Sequence, residues 1–404
     1  MAESSVATAA FKSVPRGVWA LGLVSMFMDI SSEMIHGLLP VYMVSVLGVS
    51  MVTVGFIEGV AEATAMITKV FSGALSDWLG RRKLLAAIGY GLAAFTKPVF
   101  PLATSVGWFV GARFVDRIGK GIRGAPRDAL IADITPENVR GASFGLRQSL
   151  DTIGAFVGPL LAIGLMLAST NNYKLVFWIA VIPAFISFAL IVFAVEEPAK
   201  KTGPKSDGPS LNLSDVKTFT GPFWAVVGIA SVFTLGRFSE AFLVLKAQNA
   251  GMPIALVPLV MVVMNIVYAL VSYPAGALSD RIGRNGILFA GIGMLVVADL
   301  ILAFGTTVPA VLFGVAFWGL HMGLTQGLLA ALVVDTAPAH LRGTAFGIFN
   351  LAGGIAMLAA SVIAGGLWDA YGPRMTFLAG AAFTAVALAG IWFIQKYRAA
   401  AAAR

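Results

Sequence analysis

Apolar stretches of roughly 20 residues recur from one end of this chain to the other, and each is long enough to cross a ~30 Å hydrocarbon core as a helix. With lipid as solvent, backbone donors and acceptors must be satisfied inside each segment, so the expected elements are helices. Composition agrees: 58% of the 404 residues are hydrophobic and 12% are charged, whereas soluble domains carry about 25% charged residues. A soluble fold is excluded.

Hydropathy and Gly/Pro punctuation predict twelve spans, at about 18–46, 52–75, 84–104, 106–131, 141–168, 175–196, 221–250, 255–278, 286–305, 309–335, 343–370 and 374–396. The expected organisation is all-α. A cytosolic tail (1–17) precedes a six-helix bundle (18–196), a polar Pro/Gly/Ser/Lys-rich linker (197–220), a second six-helix bundle (221–396) and a short cytosolic tail (397–404). The first residues lack the apolar core and small-residue cleavage site of a signal peptide. There is no cysteine and there are three scattered histidines, so neither a disulfide framework nor a metal site is expected. No cofactor is expected either.

The formal charge of +8 would suggest nucleic acid in a soluble protein, but here the bases sort by loop. With both ends inside, the inner loops hold Lys12, Arg16, Arg81, Arg82, Lys83, Arg140, Lys200, Lys201, Lys205, Lys217, Arg281, Arg284, Arg342, Lys396, Arg398 and Arg404, against Lys174 and Arg374 outside. This asymmetry predicts cytoplasmic termini in a multi-pass bacterial inner-membrane protein. Nucleic acid is not an expected partner.

The halves repeat. GALSDWLGRR at 73–82 returns as GALSDRIGRN at 276–285, and DITPENVRGASFG at 133–145 returns as DTAPAHLRGTAFG at 335–347. Two pseudo-symmetric bundles with a solute site near the midplane are a recurrent transporter plan.

The segment GALSDWLGRRK, between spans 2 and 3, resembles the signature loop of the major facilitator superfamily, with Gly73, Asp77, Gly80, Arg81 and Arg82 on the pattern. Asp280 stands in the second copy. The resemblance implies a conformational latch at this loop. It also implies cytosolic gate ion pairs in which Glu137, Arg140 and Arg342 meet Asp133 and Asp335, in a protein that is no enzyme. In span 5, GAFVGP at 154–159 resembles the motif of the drug:proton antiporter branch. Its alternative reading is a close-packing seam of small residues.

Ionisable groups at membrane depth cost ~2.5–3.5 kcal/mol each on insertion scales, which makes them functional candidates. Span 4 is the richest: at ~100° per residue, Arg113, Asp116, Arg117, Lys120, Arg123 and Arg127 fall within about 140° of arc. Such a stripe either attracts an anionic solute through Arg113, Arg117 and Lys120, or is neutralised internally by neighbouring acids. Asp29 and Glu33 in span 1 and Glu58 and Glu62 in span 2 are candidate proton-coupling carboxyls, since a carboxyl in a semi-dry cavity can exchange protons as the cavity alternates. The second half offers Arg237 beside Ser239-Glu240, and His321 and Gln326 in span 10, as candidate substrate contacts.

The reading is a secondary transporter, monomeric, moving a small organic or amphiphilic anion by alternating access in proton-coupled antiport. G-x₄-G-K-[ST] is absent, which disfavours ATP-driven pumping. A multidrug cation:proton antiporter and a proton-coupled nutrient symporter stay open, as does, more remotely, a receptor or membrane enzyme.

Overall fold

The computed structural model describes residues 14–197, 218–282, 284–325, 333, 336–338 and 341–402. Among the described residues every regular element is helical. The first half contains α1 (Arg16–His36), α2 (Leu39–Ser45), α3 (Met51–Leu79), α4 (Arg82–Thr96), α5 (Val99–Leu102), α6 (Val106–Ile134), α7 (Arg140–Ala168) and α8 (Tyr173–Phe193). The second contains α9 (Gly221–Gly236), α10 (Ala241–Asn249), α11 (Leu259–Ile282), α12 (Arg284–Phe304), α13 (Val308–Thr325), α14 (Arg342–Tyr371) and α15 (Pro373–Ala402). Among the described residues eleven helical segments are long and apolar enough to cross a membrane. The remaining expected span is α6, a 29-residue helix whose charges, not its length, keep it off that count.

Three expected spans are interrupted. Span 3 breaks between α4 and α5 at Lys97-Pro98, where proline has no N–H to continue the ladder. Span 1 breaks at Gly37-Leu38, just ahead of Pro40, and span 7 breaks between Gly236 and Ala241. Unwound backbone at membrane depth needs other partners. In span 7 the Ser239 N–H donates to Ser361 Oγ (3.2 Å), and Ser239 Oγ accepts from the Ala241 N–H (3.3 Å). The first and seventh spans, which correspond in the two halves, thus both carry a discontinuity, a feature associated with transporter binding sites.

The chain divides into two compact units, one of residues 1–38 and 67–210, the other of residues 39–66 and 211–404. In the first unit α1 packs against α7 and α8, while α4 packs against α6 and α8, around Val18, Leu21, Met28, Tyr90 and Ile191. In the second unit α13 packs against α11 and α12, and α15 packs against α9 and α12. The first turns of α3 also belong to this unit and lie on α14. A Cβ on Gly59 would stand 3.0 Å from Leu358 Cα, and one on Gly365 would fall on the Met51 carbonyl oxygen. Only glycine permits such an approach.

Candidate functional site

The charged interior of the first unit is built by α1, the α4–α5 corner and α6. Lys97, at the C-terminal end of α4, donates to Asp116 Oδ1 (3.0 Å) and to Ser32 Oγ (3.1 Å). Asp116 Oδ2 also lies 3.7 Å from Arg117 Nε. The Arg117 guanidinium contacts His36 Nε2, and His36 Nδ1 lies 3.9 Å from Glu33 Oε1. A guanidinium can only donate, so Nε2 must be the acceptor. In this arrangement His36 is neutral and carries its proton on Nδ1, toward Glu33.

The stripe predicted on α6 splits in two. Toward its C-terminal end the charges are matched: Arg127 Nη2 and Arg147 Nη1 both reach Asp128 Oδ1 (3.0 and 3.1 Å). Arg147 also pairs with Asp151, and Arg127 donates to Ser25 Oγ (2.9 Å). Internal neutralisation describes this end. Nearer the middle the balance differs, because Lys97, Arg113, Arg117 and Arg123 are buried with Asp116 as the one buried acid among the described residues of this unit. One carboxylate bridges two of these cations, and Arg123 lies over the Tyr90 ring at 5.0 Å. Lys120 lies exposed on the same helix.

Lys97 is the member that sequence reasoning missed. A single base beside proline near the end of an apolar run looks like a loop anchor, yet its side chain is 2% exposed. The available signal was its position, inside AAFTKPVFPLA, with too few polar neighbours to leave the bilayer.

GAFVGP forms a seam. A Cβ on Gly154 would lie 2.6 Å from the Met26 oxygen and 2.9 Å from Asp29 Cβ, and a Cβ on Gly158 would lie 2.7 Å from the Ile30 oxygen and 2.9 Å from Glu33 Cβ. The two glycines seat α7 on α1 at the two carboxyl-bearing residues. Packing and placement of Asp29 and Glu33 are therefore one feature.

The remaining candidates are spread over both units. Glu58 (buried) and Glu62 (half-buried) lie on α3 in the second unit. Arg237 and Glu240 occupy the break before α10, and His321 is fully buried on α13 between the rings of Trp318 (5.6 Å) and Phe233 (6.0 Å). Gly73 lies on α3, and Gly80 ends that helix with φ +58°, a conformation that favours glycine. Arg81 is exposed, while Arg82 Nη1 reaches Asp133 Oδ2 at 2.6 Å. Glu137 and Arg140 are exposed at the start of α7 and the turn before it. Gln326, Asp335 and the side chains of Asp77, Asp280 and Arg342 lie outside the described residues.

Similar proteins fit this architecture. The chain is 32% identical over 377 residues, 91% of its length and 92% of the relative's, to an uncharacterised MFS-type transporter of Methanocaldococcus jannaschii. It is 32% identical over 142 residues, about a third of each chain, to the probable galactarate/D-glucarate transporter GudP of Escherichia coli. In fold it is similar to the nucleoside transporter NupG, with a TM-score of 0.79 at 14% identity, covering 93% of this chain and 98% of the other. The family model of the Major Facilitator Superfamily matches residues 21–361. The chain therefore belongs to that superfamily of membrane transporters.

Proposed function

We propose that this transporter moves a small organic anion across the bacterial inner membrane by alternating access, in antiport with protons. The observation that carries the reading is the surplus of buried positive charge among the described residues of the first unit: four buried bases, Lys97, Arg113, Arg117 and Arg123, against the single buried acid Asp116. A net positive charge at membrane depth is costly, and a visiting anion would offset that cost. Arg113, Arg117 and Lys120 are the proposed substrate contacts of α6, with Arg237, His321 and Gln326 as contacts from the second half. A sugar diacid, the class named for the partial relative GudP, has the charge and size such a wall would hold.

Asp29, Glu33, Glu58 and Glu62 are the proposed proton-coupling groups. In this scheme protonation of an acid frees a base for the anion, and loss of the proton restores the ion pair and expels it. The loop from Gly73 to Arg82 and the acids and bases around Asp133, Glu137 and Arg140 serve as the conformational gate, and the protein acts as a monomer with both termini cytoplasmic.

One observation favours a second reading. The seating of Asp29 and Glu33 by Gly154 and Gly158 would suit attraction of a lipophilic cation. Flux into proteoliposomes decides between them, with galactarate compared against tetraphenylphosphonium, each with and without a pH gradient. Gradient-dependent movement of the diacid alone is the expected result, and movement of the cation alone overturns the anion reading.

A further inference from the structure

The repeat can be carried into the helices themselves. ATSV at 103–106 corresponds to GTTV at 305–308, an offset of 202 residues that matches the recurrence of Asp133 at Asp335. Packing keeps the same register: a Cβ on Gly89 would meet Arg123 Cβ at 2.8 Å, and a Cβ on Gly291 would meet Thr325 Cγ2 at 2.7 Å. In this register Lys97 corresponds to Asp299 and Asp116 corresponds to Trp318. The first unit has an ion pair at these positions. The second has a carboxyl and an indole.

Asp299, on α12, is 0% exposed, and neither carboxylate oxygen has a hydrogen-bond partner. Its neighbours are Gly380 of α15, where a Cβ would lie 2.8 Å from Asp299 Oδ2, and Phe238 from the break in span 7, whose Cε1 lies 2.9 Å from the same point. Three further buried polar groups nearby lack partners: Trp318 Nε1, both nitrogens of His321, and Thr384 Oγ1, one turn beyond Gly380. The Phe238 ring lies 5.6 Å from Trp318, which in turn lies 5.6 Å from His321.

Among the described residues none supplies a counter-charge to Asp299. Of the helices packed on α12, α13 presents His321, α11 presents Tyr268, and α15 presents Arg374, which is engaged with the Phe304 ring at 4.6 Å. The break in span 7 contributes Arg237, whose charge acts on His321, and Glu240. None of these hydrogen-bonds the carboxyl. An ionised carboxylate without a protein partner is not sustained in an apolar interior, whereas the neutral acid is.

We infer that Asp299 is a proton-binding site of the second unit, holding a proton in the packed arrangement and releasing it to water when α12 and α15 separate enough to hydrate the carboxyl. Phe238, which lies against the same Gly380 position, links that packing to the break in span 7. This assignment rests on the proton-coupled reading for its role in transport, though not for the binding of the proton itself.

Two measurements on the full-length protein in proteoliposomes test it. The first is infrared difference spectroscopy between low and high pH, in which the wild type should show a buried carboxylic-acid carbonyl band that Asp299→Asn lacks. Gly380→Ala, which presses a methyl on the carboxyl, should shift that band and serves if the asparagine variant does not fold. An infrared spectrum unchanged by either variant overturns the site.

The second is galactarate movement, read as gradient-driven accumulation and as solute exchange without a gradient. Asp299→Asn should lose about tenfold or more of the accumulation and a smaller part of the exchange. Equal losses in both, or gradient-driven accumulation that survives, overturn the coupling role. A wild type indifferent to the pH gradient would instead sink the proton-coupled reading, leaving the infrared result to decide proton binding.

Discussion

Asp369 of α14 accepts hydrogen bonds from the backbone N–H groups of Met51 (3.0 Å) and Val52 (2.8 Å), so that a carboxylate more than three hundred residues away caps the first turn of α3. A negative charge at a helix N-terminus satisfies orphan donors and complements the helix dipole. Asp369→Ala should therefore cost about 1 kcal/mol at this junction. Ser361 is fully buried beneath it, so a cysteine placed there reports opening. Maleimide labelling at that cysteine should be faster in the Asp369→Ala background and faster still with Gly365→Leu. Unchanged labelling in both would mean that the cap does not hold the seam.

Lys97 and Asp116 form a deeply buried ion pair in the first unit. Asp116 also has Arg117 Nε at 3.7 Å, so removing Lys97 leaves the carboxylate a second cation, whereas removing Asp116 takes the shared carboxylate from two buried bases, a loss of roughly 3–5 kcal/mol. Asp116→Leu should abolish folded yield in membranes, and Lys97→Met should lose much less of it. Fluorescence-detected size exclusion in detergent reads the outcome. If Lys97→Met loses as much as Asp116→Leu, Lys97 has a role beyond the ion pair, such as holding Ser32.

The two ends of the α6 stripe should behave differently. Arg117→Gln should lower the transport of a dianion such as galactarate by about tenfold or more. Arg147→Gln, in the charge-matched cluster with Asp128 and Asp151, should reduce folded yield while the molecules that fold keep their preference for anions. Flux per folded molecule separates the effects. Equal losses in both variants would remove the distinction between an anion-facing end and a structural one.

Orientation can be tested directly because the chain has no cysteine of its own. Cysteines introduced at Ser206 and Ser169 should react with an impermeant maleimide from opposite sides of intact vesicles. Reaction from the same side would reverse the topology.

Much of the fold was legible in the sequence. Length and apolarity dominate helix placement in lipid, so the spans emerge from hydropathy and Gly/Pro punctuation, including the charged α6. The interruptions were less legible: Gly37-Leu38 lies in an apolar run, and the break at residues 237–240 is held by the hydroxyl of Ser361, which sequence does not place nearby. The charged stripe was visible as a pattern. Its division was not, because matching Arg147 to Asp128 while gathering Lys97, Arg113, Arg117 and Arg123 in one buried interior with Asp116 is decided by which helices meet. Lys97 was hidden for the same reason, and so was the link between GAFVGP and the carboxyl-bearing face of α1.

The charge on α6 also constrains biogenesis. A helix carrying Arg113, Asp116, Arg117, Lys120, Arg123, Arg127 and Asp128 cannot partition into lipid by itself at ~2.5–3.5 kcal/mol per central charge. It must leave the insertion machinery in company with partners: α4, already made and bringing Lys97 to Asp116, and α7, still to come and bringing Arg147 and Asp151. Insertion of this stretch is then a collective event involving neighbouring spans, and a ribosome pausing between α6 and α7 would leave the nascent chain with its least lipid-compatible helix only half covered.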